Sequence, residues 1–250
     1  MKTLIQRSVS GTIYVLLILG SLLVHELIFV SVFLMLGVLA TLEFAAIKIH
    51  EHVKPANLVL PILFTGFFIM SYLKAAGIIR PESVTLIMVA VMLLLIYHIF
   101  WPENGTRSFL HHDALGFLYI VLPFSLAPYL IFQNGEFSGF IVLCMFLIIW
   151  VNDIMAYVIG ILLGRHKLYP RISPKKSWEG FIGGVVFSGL AGFLIHVFTG
   201  HGTHSFWILY SIVIAVFSSL GDLFESMLKR QAGVKDSGNI LPGHGGILDR

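Results

Sequence analysis

The feature that most restricts this chain is a series of apolar runs, each approaching or reaching the length that crosses a lipid bilayer. They cover residues 9–24, 27–47, 56–73, 83–100, 114–132, 138–163, 181–198 and 206–228. Hydrocarbon offers no water to an open backbone, so a crossing segment is a helix of about 20 apolar residues. The 250-residue chain is 57% hydrophobic and only 12% charged, with a mean hydropathy of +0.92, which excludes an ordinary water-soluble domain. The fold class that follows is all-α: a polytopic integral membrane helix bundle with about eight transmembrane helices. Lys2 and Arg7 precede the first run as they would a signal peptide, but no small-residue cleavage site and polar domain follow; a second run begins at Leu27. The first run is therefore expected to stay as a membrane helix, joined to the second through a tight turn at His25 and Glu26. The single cysteine, Cys144, rules out an intrachain disulfide and a cysteine metal cluster.

Placing successive segments on alternate sides sorts the basic residues sharply. One side holds fourteen Lys and Arg, the other only Lys74 and Arg80. Basic residues collect on the cytoplasmic side, so the N-terminus and the C-terminal segment are both expected there, in a cytoplasmic (inner) membrane. Polar residues are scarce in the first half and concentrated in the last three runs. This predicts an N-terminal packing and oligomerisation region, 1–105, and a C-terminal catalytic region, 106–250. Glu43 is the exception, an acid well inside an apolar run: it either pairs near the interface with Lys48 or serves the site. Pro61, Pro123 and Pro128 are expected to kink their helices.

The densest chemistry lies at the end of the chain. If the last helix continues through Arg230, then Asp222, Ser226 and Lys229 share one face, with Glu225 beside them. A carboxylate near a membrane helix end is costly unless protein, water or a metal faces it. Beyond it come Lys235, Asp236, Ser237, then Pro242, Gly243, His244, Gly245 and Gly246, and finally Asp249 and Arg250. Glycines let backbone N–H groups approach an anion, Lys and Arg add charge, and paired Asp suit a hard cation carrying phosphate oxygens.

Two upstream segments belong with it. Asn152 and Asp153 stand together in the middle of the sixth run, with Tyr157 and Gly160 on the face of Asp153. The loop that follows carries Ser173, Pro174, Lys175, Lys176, Ser177, Trp178 and Glu179, two Lys and a Ser just before a helix start, an arrangement suited to phosphate. Gly180, Gly184, Ser188 and Gly192 recur every fourth residue, the pattern of close helix packing. His196, His201 and His204, and likewise His111, His112 and Asp113, have no acid cluster beside them and read as exposed residues rather than metal ligands.

Three of these stretches, S-x2-KR-x4-KD-x5-PGHGG-x2-DR from Ser226 to Arg250, N-D-x2-A-Y-x2-G from Asn152 to Gly160, and S-P-K-K-S-x-E-G from Ser173 to Gly180, resemble the motifs of phosphatidate cytidylyltransferases, the CDP-diacylglycerol synthases. Members of that family continue past the Asp-Arg with a further Asp and a last membrane helix, so the resemblance implies either that the sequence ending at Arg250 is a fragment or that the final helix has been lost. It also implies a reaction of CTP with phosphatidate at the membrane surface, giving CDP-diacylglycerol and pyrophosphate for phospholipid biosynthesis. Mg2+ is the implied cofactor, with a monovalent cation such as K+ as an optional second. Asp222 and Asp249 are the first candidates for its ligands, and Asp236 and Asp153 the second. Lys175, Lys176, Lys229, Arg230, Lys235 and Arg250 are expected to share the phosphates. Ser177, Ser226 and His244 are expected to add hydrogen bonds, and Asn152 to line the substrate site. The implied partners are CTP, phosphatidate, membrane lipid and a second copy of the chain; nothing points to nucleic acid.

Two other readings stand beside it. A CTP-dependent polyprenol or phytol kinase would also need a metal and basic loops, but would move the γ-phosphoryl group. A secondary transporter would explain eight spans and intramembrane acids, but would place its polar residues near the midplane of two repeated halves.

Overall fold

The computed structural model describes residues 2–47, 58–79, 113–133 and 136–249. Most of the described residues are helical; the rest include two short hairpins and a terminal loop after the last helix. Five of the described helices are long and apolar enough to cross a membrane: Glu26–Ala46, Asp113–Ile131, Phe140–Leu163, Trp178–Thr199 and His204–Gln231. Val9–Val24 and Val59–Ala75 are apolar but shorter. The run expected at 83–100 and the expected boundary at 105/106 lie outside the described residues. By packing, the chain divides into two units, Met1–Phe140 with Gln231–Arg250, and Ile141–Arg230. The terminal segment thus groups with the N-terminal helices rather than with the helix that leads into it.

In the first unit, α1 (Lys2–Val24) and α2 (Glu26–Ala46) form the expected hairpin. His25 stops one helix and starts the next: its backbone is extended and its Nδ1 accepts a hydrogen bond from Leu27 N at 3.1 Å. Helices α3 (Val59–Ala75) and α4 (Asp113–Ile131) pack with them around an aromatic core. Phe29, Phe44, Phe64 and Phe68 are wholly buried. Phe29 stacks on Phe33 at 4.1 Å, and Phe67 meets Phe117 edge-on at 5.4 Å. Gly116 makes room for this core, since a Cβ there would lie 2.7 Å from the Phe44 ring and 2.6 Å from Leu60. A hairpin of β1 (Phe132–Gln133) and β2 (Glu136–Phe137) closes the unit.

The prolines act differently from one another. Pro61 is the third residue of α3, where no N–H is needed, and it begins that helix rather than kinking it. In α4, Pro123 and Pro128 each remove an i→i−4 hydrogen bond, and the helix responds with a π-helical turn over Phe117–Val121 and a break at Leu126. Asp113, expected to be exposed, is buried at 6% exposure.

The second unit holds α5 (Phe140–Leu163), a hairpin of β3 (Lys167–Tyr169) and β4 (Ser173–Ser177), α6 (Trp178–Thr199) and α7 (His204–Gln231). The small-residue row of α6 is buried throughout, at Gly180, Gly184, Ser188 and Gly192. On α5 the close neighbours of Gly180 and Gly184 are the Ala156 carbonyl and Asn152; on α7 those of Gly192 are Ser211 and the Trp207 carbonyl. A Cβ at Gly192 would overlap Ser211 Oγ and Trp207 O, whereas one at Gly189 would rest 3.6 Å from Ile212. Gly192→Ala is therefore expected to destabilise the detergent-solubilised chain by about 1–3 kcal/mol through overpacking. Gly189→Ala, at ordinary contact distance, is expected to leave the thermal midpoint unchanged or raise it slightly. Equal midpoints for the two variants would contradict this account of the packing.

Candidate active site

The loop after α7 is shaped by its own turn residues. Pro242 and Gly243 are the central pair of a turn closed by His244 N donating to Leu241 O at 2.9 Å. Proline presets the first position, and Gly243, at φ 79°, takes the left-handed second position that side chains resist. Leu241 and Gly245 then exchange two backbone hydrogen bonds, of 2.8 and 3.1 Å. This loop brings Asp249 back over its own start. Its Oδ2 accepts from Ser237 N at 2.9 Å and from Gly246 N at 2.8 Å. Gly245, at φ 95°, lies so close to this carboxylate that a Cβ would sit 2.5 Å from Oδ2.

Two residues of the N-terminal helices hold the loop from the other side. Ser10 Oγ on α1 donates to Pro242 O at 3.0 Å and lies 2.8 Å from His244 Nδ1. Glu43 on α2 accepts from Ile247 N, Leu248 N and Ser237 Oγ at 3.0, 2.8 and 3.2 Å. Of the two roles open to Glu43, the loop is the one observed, and Lys48 lies outside the described residues. A cavity of about 530 Å3 between α1, α2 and the loop is lined by Val9, Ile13, Leu36, Leu241 and Ile247 among others. The loop is thus polar in its backbone network and apolar toward this cavity. Lys235 and Asp236 are exposed on it, and Arg250 lies outside the described residues.

The second unit gathers another group. Strand β4 alternates its side chains, so Lys175 is exposed while the next residue, Lys176, pairs its ammonium with Asp222 Oδ2 on α7. Asp153 on α5 is exposed and lies within electrostatic reach of both Asp222 and Lys176. Beside it Asn152 is buried at 1% exposure and donates to Ser219 Oγ at 3.2 Å. Its Oδ1 has no hydrogen-bond partner among the described residues. One turn further along α7, Lys229 pairs with Glu225 at 2.7 Å, the favoured i, i+4 order of acid before base. Ser226 is half-buried on the same helix and Arg230 is exposed near its end.

Some expected site residues have structural duties. Ser177, 5% exposed, is the N-cap of α6, its Oγ accepting from Gly180 N at 3.2 Å. Glu179 accepts from Arg165 N at 3.1 Å and His166 N at 3.2 Å and pairs with His166 Nδ1 at 2.7 Å, tying down the end of α5. His201 and His204 are exposed, and no group of three or more His, Cys, Asp or Glu is placed to hold a metal among the described residues. The Asp153 and Asp222 pair still fits Mg2+, which is commonly held by one or two carboxylates with water and substrate phosphate completing its octahedron.

A model of the cytidylyltransferase family matches residues 5–250. The chain belongs to that family. Among its curated relatives is the phosphatidate cytidylyltransferase of Bacillus subtilis, 33% identical over an alignment 250 residues long that covers 98% of this chain and 91% of that protein. The phosphatidate cytidylyltransferase of Rickettsia bellii is 34% identical over an alignment 203 residues long that covers 78% of this chain and 85% of the relative. That of Staphylococcus epidermidis is 52% identical over 110 residues, a stretch spanning 44% of this chain and 42% of the relative's length. Within this cytidylyltransferase-family chain, the residue that sequence reasoning missed is Ser10. It is a lone hydroxyl in an apolar helix, and nothing in its neighbours signals a partner more than two hundred residues away. Glu43 did carry a signal, its charge inside an apolar run, although its partners could not be named from it.

Proposed function

We propose that this chain transfers a cytidylyl group from CTP to phosphatidate. An oxygen of the lipid phosphate attacks the α-phosphorus of CTP, the bond from that phosphorus to the bridging oxygen of the β-phosphate breaks, and pyrophosphate leaves with both electrons of that bond. A phosphate monoester is largely dianionic near neutral pH, so no strong general base is required. The observation carrying this reading is the alignment of nearly the whole chain with a relative of that name.

The difficulty in such a reaction is bringing two polyanions together and stabilising charge on the leaving group. Lys176, Lys229 and Lys235, with Lys175, Arg230 and Arg250, are the cations proposed for the phosphates. Asp222, with Asp153, and Asp249, with Asp236 in reserve, are proposed to hold Mg2+. When bound, the ion neutralises phosphate oxygens and withdraws charge from the bond that breaks. An acceptor with a charged head and apolar tails also suits a loop that is polar on one side and borders an apolar cavity on the other.

The finer arrangement proposed is eight spans in a cytoplasmic membrane, with the N-terminus and the site on the cytoplasmic side, as the distribution of Lys and Arg favours. A homodimer is proposed for the assembly. The test of function is pyrophosphate release from CTP and Mg2+ in micelles, with and without short-chain phosphatidate. Release that requires phosphatidate and equals CDP-lipid formed is the expected result. CDP released together with a phosphorylated alcohol would replace this reading with the kinase.

A further inference from the structure

Glu43 is a buried carboxylate that the proposed chemistry leaves unused. It sits near the C-terminal end of a membrane helix, is only 6% exposed, and both oxygens are engaged by the terminal loop. Three features make this a fitted contact rather than a chance one. Its acceptors meet two consecutive backbone N–H groups, those of Ile247 and Leu248, immediately before Asp249. Its third donor, Ser237, also gives its backbone N–H to Asp249, so Glu43 and Asp249 grip the same residue from two directions. The loop is cut away around it: a Cβ on Gly238 would overlap Glu43 Oε1, and one on Gly246 would overlap Oε2.

We propose that Glu43 is a positioning residue for cytidylyl transfer, holding the segment from Ser237 to Asp249 in its working conformation from a helix at the opposite end of the chain. The inference rests on the functional reading above and adds to it a residue outside the three sequence motifs. A buried carboxylate that accepts from two backbone N–H groups after the turn and from the Ser237 hydroxyl before it fixes the loop, not substrate. Its loss should therefore lower turnover more than it weakens binding. A displacement of about 1 Å in a site can cost about 10²-fold in rate.

The test uses the full chain in detergent, as Glu43→Gln, Glu43→Ala and Gly238→Ala. Gln keeps the shape and one acceptor, Ala removes both acceptors, and Gly238→Ala crowds the carboxylate without altering it. Hydrogen exchange followed by mass spectrometry reads the loop independently of activity. Peptides covering Ile247 and Leu248 should exchange faster in all three variants, Gln less than Ala, while the peptides of α5 and α6 are unchanged. In the same preparations kcat per folded molecule should fall about 10²-fold for Glu43→Ala, less for Glu43→Gln, with KM for CTP changing no more than about threefold. Unchanged exchange at Ile247 and Leu248, or faster exchange with kcat per folded molecule intact, would overturn the proposal. If the unaltered chain forms no CDP-lipid, the functional reading fails first and the proposal falls with it, an outcome visible before any variant is compared.

Discussion

Asp249→Ala is expected to abolish measurable cytidylyl transfer while leaving the helices folded. Two backbone N–H groups, of Ser237 and Gly246, converge on one carboxylate oxygen, and hydrogen bonds to a charged acceptor contribute about 1.5–3 kcal/mol each. At the lower figure, losing both removes about 3 kcal/mol of loop order, equivalent to about 10²-fold in rate if the ordered loop is the active one. The proposed role at the metal adds to that loss. Asp249→Asn should be milder, because the amide oxygen keeps an acceptor but the charge is gone. Activity and loop exchange measured together separate the two contributions: Asn should preserve more loop protection than activity. An Asp249→Ala chain with ordinary turnover would remove this residue from the site.

The second large effect concerns Asp222 and Lys176, whose opposite charges are in contact on α7 and β4. Lys176 occupies one side of the carboxylate that is proposed to meet Mg2+, so the ammonium would compete with a bound ion for the charge of Asp222. Asp222→Asn should lower kcat/KM by about 10³-fold, a few kcal/mol of phosphoryl charge stabilisation, and raise the Mg2+ concentration needed for half-maximal rate. Lys176→Met should also lower kcat, through lost phosphate contact, but shift the Mg2+ requirement downward, because Asp153 and Asp222 then face each other without a neutralising charge. Titrating Mg2+ against rate for the two variants checks the signs. Shifts in the same direction would contradict the competition. Lys175→Met, on the exposed face of the strand, should shift the Mg2+ requirement in neither direction.

Much of the helical layout was legible because bilayer length and apolar composition are local properties. Apart from α1, which starts at Lys2 rather than Val9, the described helices coincide with the apolar runs to within a few residues, and the buried glycine ladder of α6 could be read from its spacing of four. The β3–β4 hairpin was not legible. Ser173–Ser177 is only five residues long and contains a proline and two lysines, so neither alternation nor β-propensity marks it as a strand. The pairing of Glu225 with Lys229 could be seen at i, i+4, and it leaves Lys229 less free than its motif position suggests. Ser177 could likewise be read as the residue before a helix, but a phosphate contact and an N-cap have the same local signature. The contacts of Glu43, Ser10 and Asp222 depend on tertiary packing across long stretches of chain, which no window of sequence contains.

The central claim is that the bond broken in CTP lies between the α- and β-phosphates, and the fate of a label reads this directly. The full chain is supplied with Mg2+, short-chain phosphatidate and CTP labelled at either the α- or the γ-phosphorus, and the lipid fraction is extracted. The account predicts that α-label enters the lipid and γ-label leaves as pyrophosphate. Label from the γ-position in the lipid would contradict it.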